Sequence, residues 1–267
     1  MKYLNDISYK DCVGKVCKSK SSGDFKILKY NDNRNVEIQF LKTGYETTAR
    51  LGDIRNGRVK DPCLPSVYGV GITGTKYPPS INGVKTKEYI LWTHMLQRCY
   101  SDTNVCDTNV CDTSKKRNPT YIGCEVSENF KYYEYFYEWC HKQTGFGNKG
   151  FQLDKDLLIK GNKVYSEDSC VFLPQEINNI LTKREVLRGK HLIGVSWCNT
   201  KKAFVAQVNK NKGSPEYLGS FATELEAFNA YKVAKEAFIK EQANKWKGKI
   251  GERAYEALMK YKVNIDD

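Results

Sequence analysis

No run of about 18 apolar residues occurs in the chain, so no membrane-spanning helix is expected. The opening stretch, MKYLNDISYKDC, lacks the apolar core of a secretory signal peptide. A cytoplasmic location follows as the expectation. No CxxC pair occurs among the ten cysteines. Structural zinc favours such paired spacing, so no zinc is expected, and in a reducing compartment the cysteines read as thiols. The closest groupings are Cys12 with Cys17, and Cys99 with Cys106, Cys111 and Cys124. Two of these lie in TNVCDTNVCDT, Thr103–Thr113, a tandem duplication that reads as an exposed loop tolerant of insertion. Histidine is scarce, at three residues, and acidic residues are too few to balance the basic ones: 43 Lys and Arg stand against 31 Asp and Glu, a net charge of +12. An excess of that size points to a polyanionic partner.

What is present reads as an α+β chain of several small domains, as a length of 267 residues favours. Residues 1–65 are β-patterned. Asn35–Phe40 alternates so that Val36, Ile38 and Phe40 share a face, and Phe25–Leu28 precedes it across an Asp32-Asn33 turn signal. Short strands at this spacing predict a small SH3-like barrel. Its charged surface (Lys26, Lys29, Arg34, Lys42, Arg50) fits either a solvated face or contact with phosphate. Residues 66–83, rich in Gly and Pro, read as a linker.

Residues 84–186 form a middle module. Lys87–Tyr100 predicts an amphipathic helix with Ile90, Trp92, Met95, Leu96 and Cys99 inward, and Glu128–His141 predicts a second, N-capped by Ser127. A strand (Leu153–Leu158), a turn at Gly161-Asn162-Lys163, a second strand (Cys170–Leu173) and a helix entered at Pro174 follow. This order puts Asp154 on a strand and Asn178 on a helix, two hard oxygen donors suited to one Mg²⁺.

That arrangement resembles the ββα-metal nucleases of the HNH family, especially the phage homing-endonuclease branch. The resemblance implies a metal-dependent hydrolase that cuts DNA, with Asp154 and Asn178 as metal ligands. Lys155 stands where the family has its general-base His, and Ser169 where it has the Asn that orients that base. An ammonium has no lone pair, so Lys155 is better placed to bind phosphate or stabilise charge, with His94 or His141 as a borrowed base.

Residues 188–246 predict three antiparallel strands, GVSW, KKAFVAQV and YLGSF, backed by one long helix. Thr223-x-x-Glu226 is a capping box, and Ala227, Ala230, Tyr231, Ala234 and Phe238 form its inward face. Together with TELEAFNAYKVAKEAF, these strands resemble the apetala/ethylene-response-factor (ERF) DNA-binding domain, which also occurs in phage homing endonucleases. The resemblance implies a sheet laid in the major groove of double-stranded DNA. The reading positions would be Ser196, Cys198, Gln207, Asn209 and Tyr217, with Lys201, Lys202, Lys210 and Lys212 on phosphates. The family's Arg set is absent; Gln and Asn pair bidentately with adenine, so an A·T-containing site is expected. Residues 247–267 form a basic tail with a helix at Glu252–Tyr261.

The expectation is an HNH-like homing endonuclease acting with Mg²⁺ on double-stranded DNA, with no organic cofactor and no membrane partner. A phage-encoded chain of this kind would act in the cytoplasm of the bacterial host. Two alternatives stand: a sequence-specific DNA-binding regulator or architectural protein without cleavage, and a protein-interaction scaffold whose charge serves solubility.

Overall fold

The computed structural model describes residues 12–101, 121–182, 190–210 and 214–265. The duplicated stretch Thr103–Thr113 and Lys212 lie outside the described residues. The chain is α+β and divides into two compact units, Met1–Glu138 and Trp139–Asp267. That boundary falls inside the expected 84–186 module.

The first unit opens on a four-stranded antiparallel sheet in the order β1 (Val16–Ser19), β2 (Gly23–Asp32), β3 (Asn35–Phe40), β4 (Glu46–Ala49). Val36, Ile38 and Phe40 are fully buried, as their alternation predicts, and close a core with Phe25, Ile27 and Ile54. Full burial of such side chains contributes about 1.5–3 kcal/mol each. The barrel is a correction, because the sheet does not close. A five-residue helix, α1 (Leu51–Arg55), follows β4 where a fifth strand would be needed, and Leu51 and Ile54 seal the core from it.

The 66–83 segment is packed rather than extended in solvent. Val67 bridges Gly71, and Ile72 bridges Tyr132 in parallel. A Cβ at Gly71 would stand 2.5 Å from Leu96 Cδ1, so only glycine lets the chain approach the next helix this closely. Asn82 and Gly83, both at positive φ, turn the hairpin of β5 (Ser80–Ile81) and β6 (Val84–Lys85). Helix α2 (Lys87–Tyr100) is capped by Thr86 Oγ1, which accepts from Tyr89 N, and buries Trp92, Met95, Leu96 and Cys99. Ile90, expected inward, is exposed.

After the two-residue strand β7 (Glu125–Val126), the expected helix Glu128–His141 is broken in two. A 3₁₀ turn (Asn129–Lys131) ends at Tyr132, which is extended, and α3 (Tyr133–His141) begins after it. The break has a clear cause. Ile72 N donates to Lys131 O and Ile72 O accepts from Tyr133 N, each at 2.9 Å, so a passing strand takes bonds that a helix would have used. Trp92 Nε1 donates to Phe130 O at 2.7 Å, and the Trp92 and Tyr133 rings pack at 5.5 Å.

The second unit holds β8 (Phe151–Asp154), β9 (Val164–Tyr165), β10 (Val171–Pro174) and α4 (Gln175–Leu181). It continues with the antiparallel sheet of β11 (Val195–Cys198), β12 (Ala203–Val208) and β13 (Glu216–Phe221), the helix α5 (Glu224–Lys245) and α6 (Glu252–Met259). Both bonds of the Thr223–Glu226 capping box are made. Helix α5 serves two cores. Phe228, Tyr231 and Ala234 pack with Val195, Val208 and Leu218 of the sheet. Ile239, Ala243 and Trp246 pack with Val171, Leu173 and Ile177 of the hairpin and α4, and with Ala254 and Leu258 of α6.

Candidate functional site

The strand–loop–strand–helix order expected around Asp154 is observed. Strands β8 and β10 pair antiparallel, with Asp154 opposite Val171 and Gln152 opposite Leu173. Pairs directly opposite share a face, and Val171 and Leu173 belong to the core beneath α4. Gln152 and Asp154 therefore lie on the side toward the helix. Strand β8 stops earlier than expected because Asp154 turns the chain: its Oδ1 accepts from Asp156 N at 3.0 Å and Leu157 N at 2.8 Å. Pro174 serves as N-cap of α4 rather than as its first residue.

Asn178 Nδ2 donates to Gln152 Oε1 at 2.8 Å, which ties the helix to the strand. Gln152 went unnoticed in the sequence, although its i,i+2 spacing from Asp154 is the signal that both share a strand face. Burial pushes the Asp154 carboxyl above its ordinary range, against the lowering by the Leu157 and Asp156 N–H groups. Asp154 and Asn178 are oxygen donors of the kind Mg²⁺ takes, an ion that keeps several waters; Asp154 Oδ1 is also occupied by the Asp156 and Leu157 N–H groups. Among the described residues no group of three or more His, Cys, Asp or Glu side chains is arranged for a metal.

Lys155 is buried, and its ammonium is engaged. Nζ donates to Asp156 Oδ1 at 2.6 Å and to Asn162 O at 2.7 Å, and lies 5.7 Å from the centre of the Tyr165 ring. Asn162 Nδ2 returns bonds to Lys155 O and Val164 O. Ser169 Oγ donates to Val164 O at 2.7 Å. Lys155 and Ser169 thus pin one loop together. His94 is exposed in the first unit. His141, also exposed, sets its ring edge-on to Phe146 at 5.0 Å.

The three-stranded sheet is built differently. Its register sets Val195, Ala206 and Gly219 in one row, and Ser196, Val205 and Ser220 in the next. The first row faces α5: Ala206 is fully buried, and Val195 packs with the cluster of Phe228 and Tyr231 of α5. The other side carries exposed Ser196, Gln207, Tyr217 and Ser220, with Cys198 at its end. Trp197 lies on the helix side, edge-on to Phe204 at 4.9 Å. A bulge between Ala206 and Gln207 shifts the register, and Gln207 comes opposite Tyr217.

The exposed side has its own polar network. Lys201 Nζ donates to Tyr217 OH at 3.1 Å and sits 4.5 Å from the centre of its ring. Tyr217 OH and Ser220 Oγ are 2.8 Å apart. The Ser220 hydrogen bond and then the Lys201 contact pull the Tyr217 phenol below its ordinary range. Hydrogen bonds from the Thr200 hydroxyl and then the Lys201 N–H lower the Cys198 thiol. Lys202 occupies the β11–β12 turn at φ 49, and Asn209 is exposed just past β12. Lys210 pairs with Glu216 at 2.6 Å, so its charge is matched within the sheet. Ser220 was missed in the sequence, although its place in YLGSF gives it the same side as Tyr217 after the bulge.

Comparison with family models, with curated proteins and with solved structures found no significant match.

Proposed function

We propose that this chain binds double-stranded DNA through the open side of the β11–β12–β13 sheet. The observation that carries the reading is the sheet's asymmetry: α5 covers one side, and the other presents exposed Ser196, Gln207, Tyr217 and Ser220 beside Lys201. An amide such as that of Gln207 can pair two bonds with the edge of adenine. Lys201 and Lys202 suit phosphate, which positions without specifying. A net charge of +12 favours the encounter. The test is selection of bound duplexes, followed by affinity measured against salt. Binding should weaken linearly on a log–log scale, by about 0.9 per phosphate neutralised. Gln207→Ala should cost about 1–2 kcal/mol on the preferred duplex and blur one position of its sequence. Affinity indifferent to salt would leave the scaffold reading in its place.

A second reading, metal-dependent phosphodiester cleavage of the HNH homing-endonuclease kind, is favoured by the hairpin–helix order that brings Asp154, Gln152 and Asn178 to one side. Asp154 and Asn178 would hold Mg²⁺, which supplies positive charge to a scissile phosphate. Lys155, as an ammonium that donates to Asp156 and Asn162, is no base in this arrangement. Plasmid nicking that requires Mg²⁺ and disappears in Asp154→Ala supports this reading. Nicking that survives the double change Asp154→Ala, Asn178→Ala assigns cutting elsewhere. Binding without nicking supports a regulator or architectural protein.

A further inference from the structure

The first unit carries a cleft of about 380 Å³ whose lining includes Arg34, Arg50, Arg58 and Lys60, with Thr48 at one wall and Asp53 as its single carboxylate. We infer that this cleft is a second, sequence-blind contact for the phosphate backbone of a nucleic-acid duplex. For its occupant alone, the inference rests on the DNA-binding reading above.

Three observations build the site. The cations come from separate stretches of chain and are held together by backbone bonds. Arg34 lies in the β2–β3 turn, and that turn is tied to the start of α1 because Leu51 N donates to Asn33 O at 2.9 Å, beside Arg50. Arg58 is fixed to the same helix, its N–H donating to Asp53 O at 2.8 Å. Val59, between Arg58 and Lys60, is buried, and its carbonyl accepts from Ser19 Oγ at 2.7 Å. Second, the four side chains are exposed at the cleft, and among the described residues none of them forms an ion pair. By contrast Lys29, outside this lining, is matched by Glu37. Third, the chemistry fits phosphate. Guanidinium forks match phosphate oxygens bidentately, and a threonine hydroxyl adds a neutral donor. An open basic cleft whose only apolar lining is the small Ala49 and the buried Val59 offers no aromatic ring to stack a base, and fits a backbone better than a nucleotide.

The experiment uses the full chain with Arg50→Gln and Arg58→Gln together, both exposed changes, beside a control, Lys42→Gln, outside the cleft lining. Duplex affinity is measured against salt on preferred and scrambled sequences. The salt slope should fall by about 2 in the double variant, one per lost phosphate contact, and equally on both sequences. An unchanged slope, or an equal loss in the control, overturns the proposal. A second arm titrates inorganic phosphate into the wild-type chain and follows backbone amide shifts by NMR. Saturating shifts at residues 34, 50 and 58, lost in the double variant, are expected. Their absence removes the site even where the duplex binds. Shifts with phosphate but an unchanged duplex slope assign the cleft to a free phosphorylated ligand, against the backbone proposal. Wild-type protein that ignores duplex DNA yet shows these shifts removes the sheet reading and the duplex occupant, and leaves the anion site standing.

Discussion

Two lysines of the second unit, each in a stretch with a hairpin turn, show how differently this chain spends its polar groups. Lys155 is buried, and its ammonium is consumed by Asp156 and the Asn162 carbonyl. Lys201 is exposed and leans over Tyr217 at the edge of the open sheet. Around the first, Asp154, Asn162, Ser169 and Asn178 bond to neighbours in the same hairpin–helix unit. Around the second, Ser196, Gln207 and Ser220 face solvent. One region turns its polarity on its own backbone; the other carries its polarity on a solvent-facing surface. Residue type alone does not separate these roles.

Three measurements break or sharpen that contrast. The largest effect is expected from Lys155→Ala. It strands a carbonyl and removes a charge-assisted bond, so chemical unfolding should report a loss of about 2–3 kcal/mol. A loss below about 0.5 kcal/mol, the range of ordinary surface changes, would erase the distinction. Next comes the pH dependence of Asp154. Burial holds its carboxyl above the ordinary 3.8, so the folded chain keeps a proton that the unfolded chain has released. Folded stability therefore falls as pH rises from 3.8 through the raised value, and is level above it. Asp154→Asn keeps an oxygen for the same two N–H groups and cannot ionise. Its stability relative to wild type should climb across that window and then flatten; a flat difference throughout would mean the carboxyl is unshifted. The smallest effect is expected from Lys201→Ala, which should change unfolding free energy by less than about 0.5 kcal/mol. The same substitution should lower the salt slope of duplex binding by about 1.

The sheet-and-helix end of the chain was legible because its signals are local. Short runs between polar turns mark the strands, Thr223-x-x-Glu226 marks the helix start, and Ser196, Gln207 and Tyr217 are exposed. The hairpin and α4 were legible for the same reason, give or take the Asp154 turn. What could not be read depended on partners distant in sequence. The 3₁₀ break at Tyr132 comes from Ile72, and the tight fit of Gly71 comes from Trp92 and Leu96. The β-rich start was read as a barrel because strand spacing does not say whether the last strand returns to the first, and α1 stands where that return would be. A lysine's type gives no sign of burial, and only the fold of Asn162 and Tyr165 around Lys155 explains it.

Helix α5 runs unbroken from Glu224 to Lys245. Its early turns back the sheet and its late turns back the hairpin beside Asp154. At 1.5 Å per residue, its 22 residues make a rod of about 33 Å. Such a splint fixes the spacing and the angular phase between the open side that carries Gln207 and the hairpin that carries Asp154. Adding one residue between Ala234 and Phe238 would swing one end by about 100° relative to the other, a little over a quarter of a turn in phase for little change in length.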